Sequence, residues 1–128
     1  MAEINKSIGA IGWIDLTVGN AEELRSFYSE VTGWKSASVD MGDYKDYCMI
    51  GPGDETMYAG ICHARGKNEG MPVQWLIYIN VAVLDDSLEK CAAKGGKTIS
   101  PIRFMGKSRM AVIQDPAGAV AALFEHNE

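Results

Sequence analysis

Asp15 and His63 are the side chains of this 128-residue chain whose types and positions best suit acid–base chemistry. Asp15 lies inside a largely apolar, alternating segment, where an unpaired buried carboxylate would be costly. It either pairs with a lysine or arginine, or faces solvent, or acts as an acid or base. His63 ends a later apolar segment, and histidine exchanges protons near neutral pH. Two interpretations of His63 therefore stay open, a surface histidine and an acid or base in a pocket.

Other catalytic signatures are missing from the sequence. There is no GxSxG turn, and the glycine-containing segment 51–53 lacks the lysine and the helix that follow a phosphate-binding loop. No two cysteines form a CxxC pair, and the three are Cys48, Cys62 and Cys91. An odd number of separated cysteines predicts buried structural thiols rather than a disulfide framework.

The bulk composition limits the partners that the chain can have. Its net charge is -5, and 47% of its residues are hydrophobic. Without a basic excess, neither nucleic acid nor an anionic membrane is an expected partner. No apolar run approaches the roughly 18 residues needed to span a bilayer. Residues 1–9 also lack the apolar core of a signal peptide, so we expect one folded domain in the cytoplasm.

The first half of the chain predicts one strand, one helix and three more strands. Residues 13–18 alternate with the period of a strand. A helix with an apolar stripe follows Asn20, its expected N-cap, and ends at Gly33. The three further strands are expected at residues 36–39, 43–50 and 57–63.

The second half repeats this order after a polar linker at residues 64–72. A strand is expected at 73–81, then a helix that ends at Gly95 and Gly96, then strands at 98–102, 109–114 and 119–125. A shift of 63 residues brings the halves into register and places Gly33 on Gly96 and His63 on His126. The sequence thus predicts two βαβββ modules, at about 8–63 and 73–126, within a single domain over 1–128.

Four stretches together resemble the vicinal-oxygen-chelate superfamily, also called the glyoxalase/bleomycin-resistance/dioxygenase family. They are WIDLTV, FYSEVTGW, DPAG and AVAALFE, in that order along the chain. The resemblance implies an α+β fold in which two βαβββ modules form a half-open barrel with a cavity between them. Many members of that family are dimers, so a homodimer is expected. Some members hold a metal ion, whereas others sequester drugs without catalysis.

The resemblance places metal ligands on the first and last strands of each module. Those positions here are Trp13, Ala59, Leu76 and Ala122, and none offers an imidazole, carboxylate or thiolate. A different register would supply Asp15 and His63, but two ligands are too few for a catalytic site. We therefore expect no metal and no cofactor, and glyoxalase, dioxygenase and epimerase activities are not carried over.

The same resemblance, with strand alternation, suggests which side chains line the cavity. If Trp13 faces inward, so does Asp15. Tyr78 and Asn80 would follow Leu76, and the closing strands would add His63 beside Ala59 and Phe124 beside Ala122. The predicted ligand-binding residues are therefore Trp13, Asp15, His63, Tyr78, Asn80 and Phe124, although the preferred interpretation of Trp13 is ordinary core. Such a lining suits a flat or partly apolar organic molecule.

The sequence thus predicts a protein that binds a small organic molecule without a metal. One alternative is an enzyme of the same superfamily, of lyase or dioxygenase type, with a non-standard site around Asp15 and His63. The other is an interaction module whose cavity is filled by its own side chains.

Overall fold

The structure is a computed structural model, and it describes residues 5–127. These residues form two compact units: unit 1 comprises residues 14–75, and unit 2 comprises residues 5–13 and 76–127. Each unit combines one principal helix with a mixed β-sheet. The predicted α+β class and the repeated βαβββ order are confirmed, apart from one strand of the second half that is broken in two.

Unit 1 contains the first helix and a four-stranded sheet. Its elements are β1 (Ile11–Val18, of which residues 14–18 lie in this unit), α1 (Ala21–Thr32), β2 (Lys35–Asp40), β3 (Lys45–Ile50) and β4 (Met57–His63). The strand order is β2-β3-β4-β1, with β1 parallel to β4 and the other pairs antiparallel. A short 3-10 turn, Gly66–Asn68, lies in the segment expected to be a linker.

The core of unit 1 lies between α1 and one face of this sheet. Leu24 and Tyr28 of α1 pack on buried strand residues that include Leu16 and Ile61. The helix ends at Gly33, which has φ 82 and donates its N–H to the Ser29 carbonyl. Glycine adopts this left-handed conformation without steric cost, so the predicted helix end is confirmed.

Unit 2 contains the second helix and the remaining strands. Its elements are β5 (Trp75–Asn80, whose first residue lies in unit 1), α2 (Leu84–Ala93), β6 (Lys97–Thr98), β7 (Arg103–Met105), β8 (Ser108–Gln114) and β9 (Val120–Glu125). β5 is parallel to β9, whereas β8 pairs antiparallel with β9, β6 and β7. Leu84, Ala111 and Leu123 form the buried core under α2. Neither α1 nor α2, in the described part of the chain, has the length and apolar character of a membrane-spanning helix.

The strand predicted at residues 98–102 is wrong in its extent. Strand β6 ends at Thr98, and β7 begins only at Arg103. Pro101 has no N–H to donate to a sheet. The Ser100 hydroxyl oxygen instead accepts the Val112 N–H at 2.9 Å, so a side chain replaces a backbone partner at the break.

The pairing register of β4 differs by one residue from the sequence repeat. In unit 1 Asp15 pairs with Gly60, whereas in unit 2 the equivalent Tyr78 pairs with Ala122. β3 is offset together with β4, because Cys48 pairs with Gly60 as Ala111 pairs with Leu123, so the whole hairpin is displaced by one residue against β1. A slip of one residue exchanges the two faces of a strand. The prediction that Asp15 shares a face with Ala59 and His63 is therefore wrong.

Candidate functional site

Unit 1 contains an open cleft of about 460 Å³ on the face of its sheet that carries Ile14 and Ala59. These two residues are neighbours because Leu16 pairs with Ile61 across the parallel strands, which puts Ile14 beside Ala59. The remaining lining is aromatic and consists of Trp34, Tyr58 and Trp75. The cleft is therefore an apolar depression with three large rings.

The two tryptophans are held in place by each other and by Tyr28. The ring centroids of Trp34 and Trp75 are 6.0 Å apart with an interplanar angle of 72°, and those of Tyr28 and Trp75 are 5.2 Å apart at 80°. Edge-to-face contacts of this kind are favourable for aromatic pairs. The Trp75 Nε1–H also donates to the Tyr28 hydroxyl at 3.1 Å. The walls of the cleft are thus fixed before any ligand arrives.

Tyr58 is fixed by a different set of contacts. Its hydroxyl donates a hydrogen bond to the Asp54 carboxylate, which also accepts the Thr56 backbone N–H at 3.1 Å. Its ring packs over Gly51, where an added Cβ would lie 2.7 Å from Tyr58 Cε2. The hydrogen bond from Tyr58 lowers the pKa of Asp54 and raises the pKa of Tyr58. The exposed carboxylate therefore stays ionised beside the cleft.

Asp15 lies on the opposite face of β1 from Ile14, in a small polar cluster with Cys62 and Asp46. Its side chain is 9% exposed, so the solvent-facing interpretation of Asp15 is wrong. Cys62 donates a hydrogen bond to Asp46. Burial, with the nearby carboxylates, raises the pKa of the Cys62 thiol far above its usual range. The thiol therefore keeps its proton and is a poor nucleophile.

His63 lies against Asp46 rather than at the surface. Its backbone N–H donates to Asp46 Oδ1 at 2.8 Å, and its Nδ1 is 3.4 Å from the same oxygen. The side chain is 15% exposed, with its ring near Tyr44 and Tyr47. The surface interpretation of His63 is therefore wrong, although a role in binding stays a prediction.

In unit 2 the predicted site residues share one face, as expected from alternation. Tyr78 pairs with Ala122 and Asn80 with Phe124, and the Tyr78 and Phe124 rings are 6.4 Å apart. Asn80 is 2% exposed, and its Nδ2 donates to the Asn5 and Ser7 carbonyls at 2.7 and 3.1 Å. Its Oδ1 is 3.1 Å from His126 Nε2. The side chain of Asn80 thus anchors the segment before β1 by hydrogen bonds. Few of its hydrogen-bonding positions remain for a ligand.

Trp13 belongs to unit 2 and is half-buried. Its side chain alternates with Ile14 along β1, so it does not lie beside Ala59. Its predicted role as a ligand-stacking residue stays a prediction.

The described residues do not fit the metal site of the superfamily. Within 5–127, no group of three or more His, Cys, Asp or Glu side chains is arranged to hold a metal ion. With the observed register, Gly60 rather than Ala59 occupies the metal-ligand position of β4, and glycine also offers no ligand atom. The Asp46 carboxylate already accepts the His63 backbone N–H. No step of chemistry is therefore assigned to a metal.

Comparison with known proteins assigns the family. Residues 10–123 match the Glyoxalase/Bleomycin resistance protein/Dioxygenase superfamily, and the chain belongs to it. CFP32 of Mycobacterium bovis, whose name carries the word glyoxylase, is 31% identical over 121 residues, which are 93% of this chain and 46% of that protein. The anthracycline biosynthesis protein DnrV of Streptomyces peucetius is 28% identical, over 91% of this chain and 46% of that protein.

Structural similarity agrees with this assignment. A methylmalonyl-CoA epimerase from Streptomyces coelicolor aligns with a TM-score of 0.58 and 15% identity over 95% of this chain and 100% of that chain. At so low an identity, the likeness shows the fold alone. The chain also spans less than half the length of the two relatives named above.

Sequence reasoning missed the cleft residues Trp34, Tyr58 and Trp75. A usable signal was present, since Trp34 directly follows the glycine that ends α1 and Trp75 opens β5. Tryptophans at such element boundaries are seldom fully buried, which makes them candidates for a pocket wall. Tyr58 could not be identified without the register of β4.

Proposed function

We propose that this protein binds a small organic molecule in the cleft of unit 1, without a metal at the superfamily positions. The supporting observation is the cleft itself, with a volume of about 460 Å³ and a lining of Ile14, Trp34, Tyr58, Ala59 and Trp75. Ligand sites for small molecules are typically clefts of about 300–1,000 Å³ with apolar and aromatic walls. The two tryptophans and Tyr58 offer flat surfaces on which a ring can stack.

The residues at the metal positions support binding without a metal. Trp13, Leu76 and Ala122 have no ligand atom, and neither Ala59 nor its corrected counterpart Gly60 supplies one. A protein that sequesters a molecule needs only affinity for it, so its function tolerates the loss of the metal-binding side chains. One relative, DnrV, is named for anthracycline biosynthesis, which is consistent with an organic ligand.

The proposal is tested by titrating the purified protein with naphthol, a flat neutral probe, and following tryptophan fluorescence and NMR shifts. We expect saturable binding that Trp34→Leu weakens by about tenfold, since a lost aromatic contact costs about 1 kcal/mol or more. Phe104→Leu is the control, because Phe104 is 66% exposed and does not line the cleft. Absent binding, or binding that Trp34→Leu leaves unchanged, would refute the proposal.

We also propose that the protein is a homodimer. Phe27 and Val31 lie one turn apart on α1 and are 52% and 64% exposed, so the helix presents apolar surface to solvent. Sedimentation velocity at micromolar concentration should show a dimer, and Val31→Lys should dissociate it. A monomer at every accessible concentration would contradict this expectation.

A further inference from the structure

We propose that the cleft of unit 1 selects an organic cation, such as an aromatic or alkyl ammonium ion, over a neutral or anionic molecule of the same shape. The inference rests on the proposed binding function and names the class of ligand for that site. It depends on the three rings of the cleft and on the carboxylate of Asp54, which is bonded to one of them.

The rings supply the first part of the attraction. Tryptophan and tyrosine carry negative electrostatic potential on their faces, and tryptophan binds cations best of all side chains. Trp34 and Trp75 meet at 72°, so the two rings present surfaces in different directions around one hollow, and Tyr58 adds a third. A compact cation can contact more than one of these faces at once.

Two arginines of the described residues lie over rings outside the cleft. Among the described residues, the arginine–ring contacts place Arg25 4.9 Å from the Tyr47 centroid and Arg65 4.8 Å from the Tyr44 centroid. Both rings lie outside the cleft lining. These two arginines therefore do not cover the aromatic surface of the cleft.

Asp54 supplies the second part of the attraction for a cation. Its carboxylate is exposed and accepts the Tyr58 hydroxyl proton, so a formal negative charge lies at the rim, one ring away from the ligand space. That hydrogen bond also shifts electron density toward the Tyr58 ring, which strengthens the attraction between its face and a cation. The chain as a whole carries a net charge of -5, which favours the approach of cations.

The second half of the chain lacks this arrangement. The shift of 63 residues places Lys97 at the position of Trp34 and Ala117 at that of Asp54. With the corrected register of β4, Val120 occupies the position of Tyr58. The aromatic and acidic groups are therefore a property of unit 1 and not a requirement of the repeated fold.

The test compares phenyltrimethylammonium with tert-butylbenzene, its neutral isostere, and with benzenesulfonate, using NMR titration of the full chain. We expect the cation to bind about tenfold more tightly than the neutral isostere, as cation–π attraction of 1–2 kcal/mol implies. Benzenesulfonate should bind more weakly than either. Equal binding of cation and isostere, or preference for the sulfonate, would overturn the inference while leaving the proposed function in place.

Two variants separate charge from shape. Asp54→Asn removes the rim charge, and Tyr58→Phe keeps the ring but removes the hydrogen bond to Asp54. Each should reduce the preference for the cation several-fold without weakening tert-butylbenzene, and Asp115→Asn in unit 2 serves as the control. Thermal unfolding checks that each variant is folded. If none of the three probes binds, both this inference and the proposed function fail. Dissociation of a dimer by Trp34→Leu would then show that a second copy fills the cleft.

Discussion

The indole N–H of Trp75 donates to the hydroxyl oxygen of Tyr28 at 3.1 Å, which joins the start of β5 to the middle of α1. Both side chains belong to unit 1, and the same Tyr28 ring lies edge-on to Trp75. One tyrosine thereby fixes both the position and the rotation of a wall of the cleft. Since the indole is partly buried, its only polar atom has a protein partner, as buried donors require.

Tyr28→Phe tests this contact. The substitution keeps the edge-on ring but leaves the Trp75 N–H without an acceptor, so we expect the free energy of unfolding to fall by about 1 kcal/mol. The near-ultraviolet circular dichroism of the aromatic cluster should weaken as Trp75 gains freedom to rotate. Tyr44→Phe is a matched control, because the Tyr44 ring lies near His63 and Arg65 instead. Equal effects from the two variants would show that the hydrogen bond contributes nothing specific.

Gly51→Ala tests how Tyr58 is positioned. The added methyl group would lie 2.7 Å from Tyr58 Cε2 and would also collide with the Asp54 carboxylate. Because both neighbours are side chains that can move, we expect a modest loss of stability, about 1 kcal/mol, and a displaced Tyr58. Binding of an aromatic probe should weaken several-fold. Gly53→Ala in the same turn has no atom within 4 Å of the added methyl group and should change neither property.

Glu125 links stability to pH in unit 2. Its carboxylate accepts the Leu84 N–H at 2.7 Å at the start of α2, where Val83 offers no capping side chain, and it also binds Arg109. The hydrogen bonds from Arg109, Leu84 and Asn127 lower the pKa of Glu125 from 4.5 to about 2. A lowered folded-state pKa stabilises the fold above the unfolded value, and this stabilisation is lost as the pH falls through the folded value.

We therefore expect wild type to exceed Glu125→Gln in free energy of unfolding by about 1 kcal/mol at pH 6. The difference should shrink between pH 4.5 and pH 2 and vanish below that range. Urea unfolding of both proteins across this range measures it. Glu89→Gln on α2 is the control, because it also removes one carboxylate but Glu89 is exposed. A difference that persists unchanged at pH 2 would contradict the proposed role of the ionised carboxylate.

The architecture could be predicted because the sequence signals for helix ends and strands are local, and each is strong without the others. Gly33 ends α1 in the left-handed conformation, and the apolar period of two identifies β1 and β5. The break between β6 and β7 was missed because the sequence does not show that the Ser100 hydroxyl takes a backbone role beside Pro101.

The candidate site was harder to predict because it depends on which face each strand presents. Phe124 and Tyr78 were placed together correctly, since β5 and β9 follow the expected register. Asp15 and His63 were not, because β4 pairs with β1 one residue away from the register that the sequence repeat predicts. Nor does the sequence show that the side chains of Asn80 and Asp46 form hydrogen bonds with the backbone of other segments.

The position of the β3–β4 hairpin has a consequence for how two similar modules can differ. Cys48 pairs with Gly60 as Ala111 pairs with Leu123, so the hairpin keeps the pairing of the repeat while it lies one residue out of that register against β1. Because side chains alternate along a strand, this offset exchanges the inward and outward groups of both strands together. Two modules with the same order of elements can therefore present unrelated side chains on the same face.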